Sequence, residues 1–127
     1  MGVGRRLSAG LAAGAALTLA GCGSTNAPYT QTKTAPCLRE LGYSVRPATD
    51  LIAGTAANGG LVATLRDETV TIAFGEDAHD GLRLSRAYRR VAPRRLRDLI
   101  LPRRNAVMVW TISPTLAQMQ EAEKCLR

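Results

Sequence analysis

The residues equipped for acid–base or metal chemistry crowd one short stretch, Glu76, Asp77, His79 and Asp80. Glu76 and His79, or Asp77 and Asp80, stand three apart and would share a helical face, as two ligands of a metal site do. The same acids in a first helical turn have a plainer use. They oppose the positive end of the helix dipole and cap free N–H groups. No second ligand set stands elsewhere, so capping is the expectation and no metal is assigned. His79 is the sole histidine, so a serine or cysteine nucleophile would have to take it as its base. No carboxylate pair is singled out for glycoside chemistry. Gly59-Gly60 precedes an apolar run instead of following one, the reverse of a phosphate-binding loop. The expectation is a non-enzymatic domain without a cofactor.

Charge is the stronger feature. The 127-residue chain carries a formal net charge of +7. Arg83, Arg86, Arg89, Arg90, Arg94, Arg95, Arg97, Arg103 and Arg104 fall within 22 residues, opposed in that span by Asp98. Six of them, Arg83, Arg86, Arg90, Arg94, Arg95 and Arg97, are the candidate contacts for an anionic partner. Arginine is also what a GC-rich codon usage deposits on a solvated helix face, and that reading stands beside the functional one. A single aromatic, Tyr88, interrupts the run, too little stacking surface to suggest nucleic acid.

The N-terminus supplies a location. Met1 to Gly10 holds Arg5 and Arg6 and no acid, and Leu11 to Leu19 is a short apolar stretch of Leu and Ala interrupted by Gly14. That is the order of an export signal, and it is far short of the roughly 20 residues that a spanning helix needs. Leu19-Ala20-Gly21-Cys22 follows. These four residues resemble the lipobox of bacterial lipoproteins: an aliphatic residue, a small residue, Gly or Ala, then Cys. The resemblance implies removal of residues 1–21, lipidation of Cys22 and anchorage on the extracytoplasmic side of a bacterial membrane. Small residues let an extended backbone enter a signal peptidase, and the Cys22 thiol is the motif's nucleophile for the diacylglyceryl group. Acyl chains at about 0.8 kcal/mol per buried methylene make such an anchor effectively permanent. Gly23 stands where an Asp would favour inner-membrane retention in a Gram-negative cell.

With Cys22 committed to lipid, Cys37 and Cys125 remain, one at each end of the globular part. An oxidising compartment makes a disulfide the economical reading. Neither has a neighbouring histidine or a Cys-x-x-Cys partner that would point to metal or redox work. Gly23 to Ala35 reads GSTNAPYTQTKTA, polar and nearly uncharged, and is expected to be a flexible tether with an r.m.s. reach of roughly 20 Å. The domains are therefore a signal over 1–21, a lipidated tether over 22–35 and one globular domain over 36–127.

The elements that must position these groups follow from periodicity. Cys37 to Leu41 reads as a short helix ended by Gly42. Tyr43 to Arg46 is a strand stopped by Pro47. Leu61–Arg66 and Thr69–Phe74 alternate as a hairpin. From Asp77 to Val91 the period turns helical, with Ala78, Leu82, Ser85, Tyr88 and Val91 on one side and arginines on another. Arg95 to Leu101 reads as a short turn before Pro102. Ala106 to Thr111 is an apolar, β-prone interior strand, and Ser113-Pro114 opens a final helix carrying Leu116, Met119, Ala122 and Leu126. The order αβββαβα predicts an α+β domain: two layers, helices on one face of a three- or four-stranded mixed sheet, with a parallel crossover from Thr69 to Thr111 and a disulfide closing the ends.

The functional expectation is a lipid-anchored envelope protein that binds anionic lipid, an acidic wall polymer or an envelope protein. The alternatives are a small-ligand or metal-binding accessory of a transporter and, behind it, a hydrolase built on His79.

Overall fold

The structure is a computed structural model and describes residues 27–127. The expected signal and Cys22 lie outside those residues. The class is α+β, as expected. Helix α1 spans Gln31–Glu40, followed by strands β1 (Ser44–Pro47), β2 (Gly60–Leu65) and β3 (Glu68–Phe74). Helix α2 (Ala78–Val91) leads through a 3₁₀ segment, Arg94–Leu99, to β4 (Ile100–Arg103), β5 (Ala106–Trp110) and helix α3 (Leu116–Glu123).

Five strands form one sheet in the order β1-β2-β3-β5-β4, and every pairing is antiparallel. The hairpin β2–β3 is the one read from alternation, with Leu61 opposite Ile72 and Ala63 opposite Val70. The expected parallel pairing of β3 with the strand after α2 does not form. Instead α2 delivers the chain to β4, and β5 folds back between β4 and β3, with Ile72 opposite Met108. The crossover therefore joins two strands that run parallel with an antiparallel one inserted. Both edge strands contain a proline, Pro47 and Pro102, which removes a ladder N–H and blunts the edge.

The sheet is covered on both faces, not one. Val70, Ile72 and Phe74 of β3 and Ala106, Met108 and Trp110 of β5 point into a core closed by Leu38, Ala122, Cys125 and Leu126 from α1 and α3. The alternate residues Ala73 and Val107 face Ala53, Leu84, Tyr88 and Ile100 on the α2 side. Alternation with period two sends each strand's neighbouring residues to opposite faces, so β3 and β5 serve both cores. Phe74, Ile72 and Leu38 are fully buried, a gain of about 1.5–3 kcal/mol for each.

Cys37 and Cys125 form the disulfide, with Cα atoms 5.3 Å apart across a separation of 88 residues. It fastens α1 to the end of α3 within the larger core.

Three local expectations need correction. The expected flexible tether is ordered from Ala27 onward, and α1 starts at Gln31, six residues before the expected Cys37. Thr30 caps it by accepting from the Lys33 amide, and Pro36 lies inside it. Its buried face is Thr34, Ala35 and Leu38. The globular unit therefore begins near residue 28, not 36. In α2 the buried ridge is Gly81, Leu84, Ser85 and Tyr88, whereas Leu82 and Val91 are exposed. Gly81 decides this rotation, because a Cβ there would collide with the Arg104 carbonyl oxygen; the helix sits against the β4–β5 turn where its side chain is absent. Finally α3 starts two residues later than expected, capped by Thr115 in a capping box with Gln118.

Candidate functional site

Helix α2 and the segment after it carry the candidate arginines. The α2 residues His79, Arg83, Arg86 and Arg90 follow at i, i+4, i+7 and i+11, opposite the buried ridge, and all four are exposed. At 1.5 Å per residue they mark a stripe about 16 Å long. Arg94, Arg95 and Arg97 extend the exposed charge through the 3₁₀ segment.

Partners divide the arginines into two groups. Arg83 bonds Asp80, its Nε 2.7 Å from Oδ1. Arg103 pairs with Glu123 of α3 at 2.8 Å, Arg89 donates to the Ile100 carbonyl, and Arg104 reaches the Ala27 carbonyl. Arg83 braces the start of α2, Arg89 joins α2 to β4, Arg103 joins β4 to α3, and Arg104 holds the chain ahead of α1. Arg86, Arg90, Arg94, Arg95 and Arg97 meet no acidic side chain within salt-bridge distance among the described residues. Five of the six candidates thus remain unneutralised from within. The exception is Arg83.

The acidic cluster resolves as capping. Asp77 is the N-cap of α2 and accepts from the Asp80 amide at 2.8 Å. Asp80 accepts from the Glu76 amide at 2.8 Å and from Arg83. The Glu76 amide, helped by Arg83 against a smaller effect of burial, holds the Asp80 carboxyl below the usual carboxylate range. Among the described residues no three His, Cys, Asp or Glu side chains converge as a metal site would require. His79 lies on the exposed face of α2.

Sequence reasoning missed a clamp at the chain's entry. Arg104, at φ 53°, turns the β4–β5 hairpin. Its guanidinium lies 4.4 Å from the Tyr29 ring centroid, a cation–π contact. The next residue, Asn105, is 2 % exposed. Its Oδ1 accepts from the Tyr29 amide and its Nδ2 donates to the Tyr29 and Gly75 carbonyls, all at 2.8 Å. Asn58 gives Gly75 a second donor at 2.9 Å. On the other side Thr30 donates its amide to the Arg127 carbonyl at 2.8 Å. An Asn in a two-residue turn reads as turn chemistry. Its long-range partners, 30 and 76 residues away, leave no local signal.

A second unread cluster lies on the α1/α3 side. Burial, then the charges of Glu68 and Glu121, pushes the Tyr43 phenol up. Glu68 lines an open depression of about 360 Å³ with Leu41, Leu65, Arg66, Asp67 and Gln118. Its Oε2 and the indole Nε1 of Trp110 are buried without a protein partner. The lining is largely polar, unlike the apolar concavity that a small-ligand carrier presents.

On the α2 side, Tyr88 donates to Asp50 Oδ1 at 2.9 Å, and the same oxygen accepts from the Ile52 and Ala53 amides at 2.9 Å. This bond fastens the 48–56 loop to α2. Burial first, then Asp50, raises the Tyr88 phenol well above its ordinary range.

None of the helices among the described residues is long and apolar enough to cross a membrane. Comparison with protein-family models, with curated proteins and with solved structures gave no match.

Proposed function

We propose that the chain is a lipid-anchored extracytoplasmic protein whose domain acts by binding, not catalysis, using the arginine-bearing segment from Arg83 to Arg97 on an anionic partner. The observation that carries this reading is the set of five exposed arginines, Arg86, Arg90, Arg94, Arg95 and Arg97, without acidic neighbours among the described residues. An arginine whose charge is unspent inside the fold keeps its full attraction for an outside anion, about 1 kcal/mol per cation at an anionic surface. The Leu19-Ala20-Gly21-Cys22 motif supports anchorage by its resemblance to the lipobox.

The test replaces Arg86, Arg90, Arg94 and Arg95 with Ser and measures binding of the domain to anionic vesicles and to acidic wall polymer. Exposed side chains without internal partners leave the fold intact, so circular dichroism stays unchanged while affinity falls by on the order of 10³. Unchanged binding would sink the reading. Mass spectrometry of the membrane fraction reads lipidation of Cys22 separately.

A further inference from the structure

The clamp at Tyr29 shortens whatever joins the domain to an anchor. Were the tether free as far as Ala35, the domain could stand off by roughly 20 Å in any orientation. With Ala27 held by Arg104 and Tyr29 held by Asn105, five residues, 22–26, separate an anchor at Cys22 from the held backbone. Five residues cannot span more than about 18 Å however they are arranged. That is less than the length of α2, 14 residues or about 21 Å. Ala27 therefore stays within about 18 Å of an anchoring bilayer, and the surfaces that adjoin it are the ones nearest the leaflet.

Two layers adjoin that point. Pro28 lines a depression with Ala78 and Asp77 at the start of α2, and another with Lys33 of α1 and Arg127 after α3. Exposed aliphatic side chains do not choose between them. Leu82 and Val91 are 51 % and 71 % exposed on α2, and Leu116 is 66 % exposed on α3. Charge does choose. On the α1 and α3 side, Lys33, Arg39, Lys124 and Arg127 are offset by Glu40, Glu121 and Glu123. On the α2 side Glu76 stands exposed at the helix start, while Asp77 and Asp80 are engaged in helix-capping bonds, Asp80 also with Arg83, and Asp50 with Tyr88 and two loop amides. Glu76 lies at the far end of the helix, so Asp98 is the one carboxylate among the residues from 86 to 98, which hold Arg86, Arg89, Arg90, Arg94, Arg95 and Arg97. A cationic helix face with an exposed leucine, Leu82, on its flank suits an anionic surface.

We infer that α2 lies against the leaflet that holds the anchor, with Arg86, Arg90, Arg94 and Arg95 on anionic phospholipid headgroups and Leu82, on the adjoining flank of the helix, nearest the acyl boundary. This rests on the proposed anchorage and adds an orientation and a partner to it.

The test keeps the two apart by supplying the anchor chemically. Cys37 and Cys125 are bonded to each other, so the thiol of Cys22 in the chain from residue 22 to 127 is free to couple to a maleimide phospholipid. The vesicles contain 30 mol % phosphatidylglycerol with brominated acyl chains. Two variants, Leu82→Trp and Leu116→Trp, are compared by fluorescence against the buried Trp110 background. The expected result is quenching at position 82, at least threefold stronger than at 116, and its loss in zwitterionic vesicles or in 1 M salt, where screening falls to about 3 Å. Stronger quenching at 116 overturns the orientation. Equal quenching in zwitterionic vesicles overturns the role of the arginines. No quenching at any position, with binding to acidic wall polymer retained, overturns the lipid as partner. Unmodified Cys22 in the native host would defeat the anchorage alone and leave these outcomes readable.

Discussion

Breaking the Cys37–Cys125 bridge tests how much of this small domain's stability is chain entropy. The bridge closes a separation of 88 residues. In the loop-closure model that restricts the unfolded chain by about 15 cal/mol/K, or about 4.6 kcal/mol at 25 °C. A domain of this size unfolds with an entropy of roughly 0.2 kcal/mol/K, so loss of the bridge lowers Tm by about 20 °C. Reduction by a phosphine, followed by circular dichroism melts, isolates the cross-link because every packed atom remains. The double variant Cys37→Ala/Cys125→Ala should fall further by about 1 kcal/mol, since Cys125 is fully buried and its removal leaves a small cavity. The reduced chain should also show a larger urea m-value, its unfolded state being more expanded. A drop in Tm below about 5 °C with unchanged m would refute the entropic argument.

Two further substitutions probe the α2 layer that presents the arginines. Gly81→Ala ought to stabilise an isolated helix by about 1 kcal/mol, yet here its Cβ meets backbone of the β4–β5 turn at Arg104 and Asn105. A net loss of about 1–2 kcal/mol in urea unfolding is expected, and a more stable variant would contradict the close approach. Tyr88→Phe removes the bond to Asp50 and should cost about 1 kcal/mol at pH 7. Because the folded phenol titrates above its unfolded value, its contribution is complete below about pH 10 and is lost as pH rises past it. The variant's stability should therefore decline less between pH 9 and 11 than the parent's, and equal slopes would refute the assignment.

Hydrophobic alternation made the β2–β3 hairpin legible, because Val70, Ile72 and Phe74 are buried by a face that the sequence marks with period two. Asp77 announced α2 as an N-cap, and the lipobox resemblance, by setting Cys22 aside, left Cys37 and Cys125 for the bridge. What stayed hidden depended on distant partners. Helix α1 looks like tether because Gln31-Thr32-Lys33-Thr34 is polar and Pro36 interrupts it. It holds because Gln31 accepts from the Gly60 amide and Thr34 exchanges bonds with Arg127, 93 residues away. Strand β4 looked like a turn because Pro102 and the flanking arginines suit an edge, and an edge strand needs few apolar residues. The arginines were visible by composition. Which of them are spent on internal partners was not, since Glu123 and Ile100 meet Arg103 and Arg89 through the fold alone.

The bridge and the Thr30–Arg127 bond also impose an order on how the molecule is made. Helix α1 is synthesised first but is fastened to residues at the far end of the chain. A polypeptide that emerges N-terminus first therefore leaves α1 without its partners until α3 has appeared, and the native oxidation cannot precede that moment. This is the behaviour of a high-contact-order topology, in which native contacts wait for sequence-distant segments. On the proposed export route, the lock between the two ends closes only after the whole chain has crossed, on the side where thiols are oxidised.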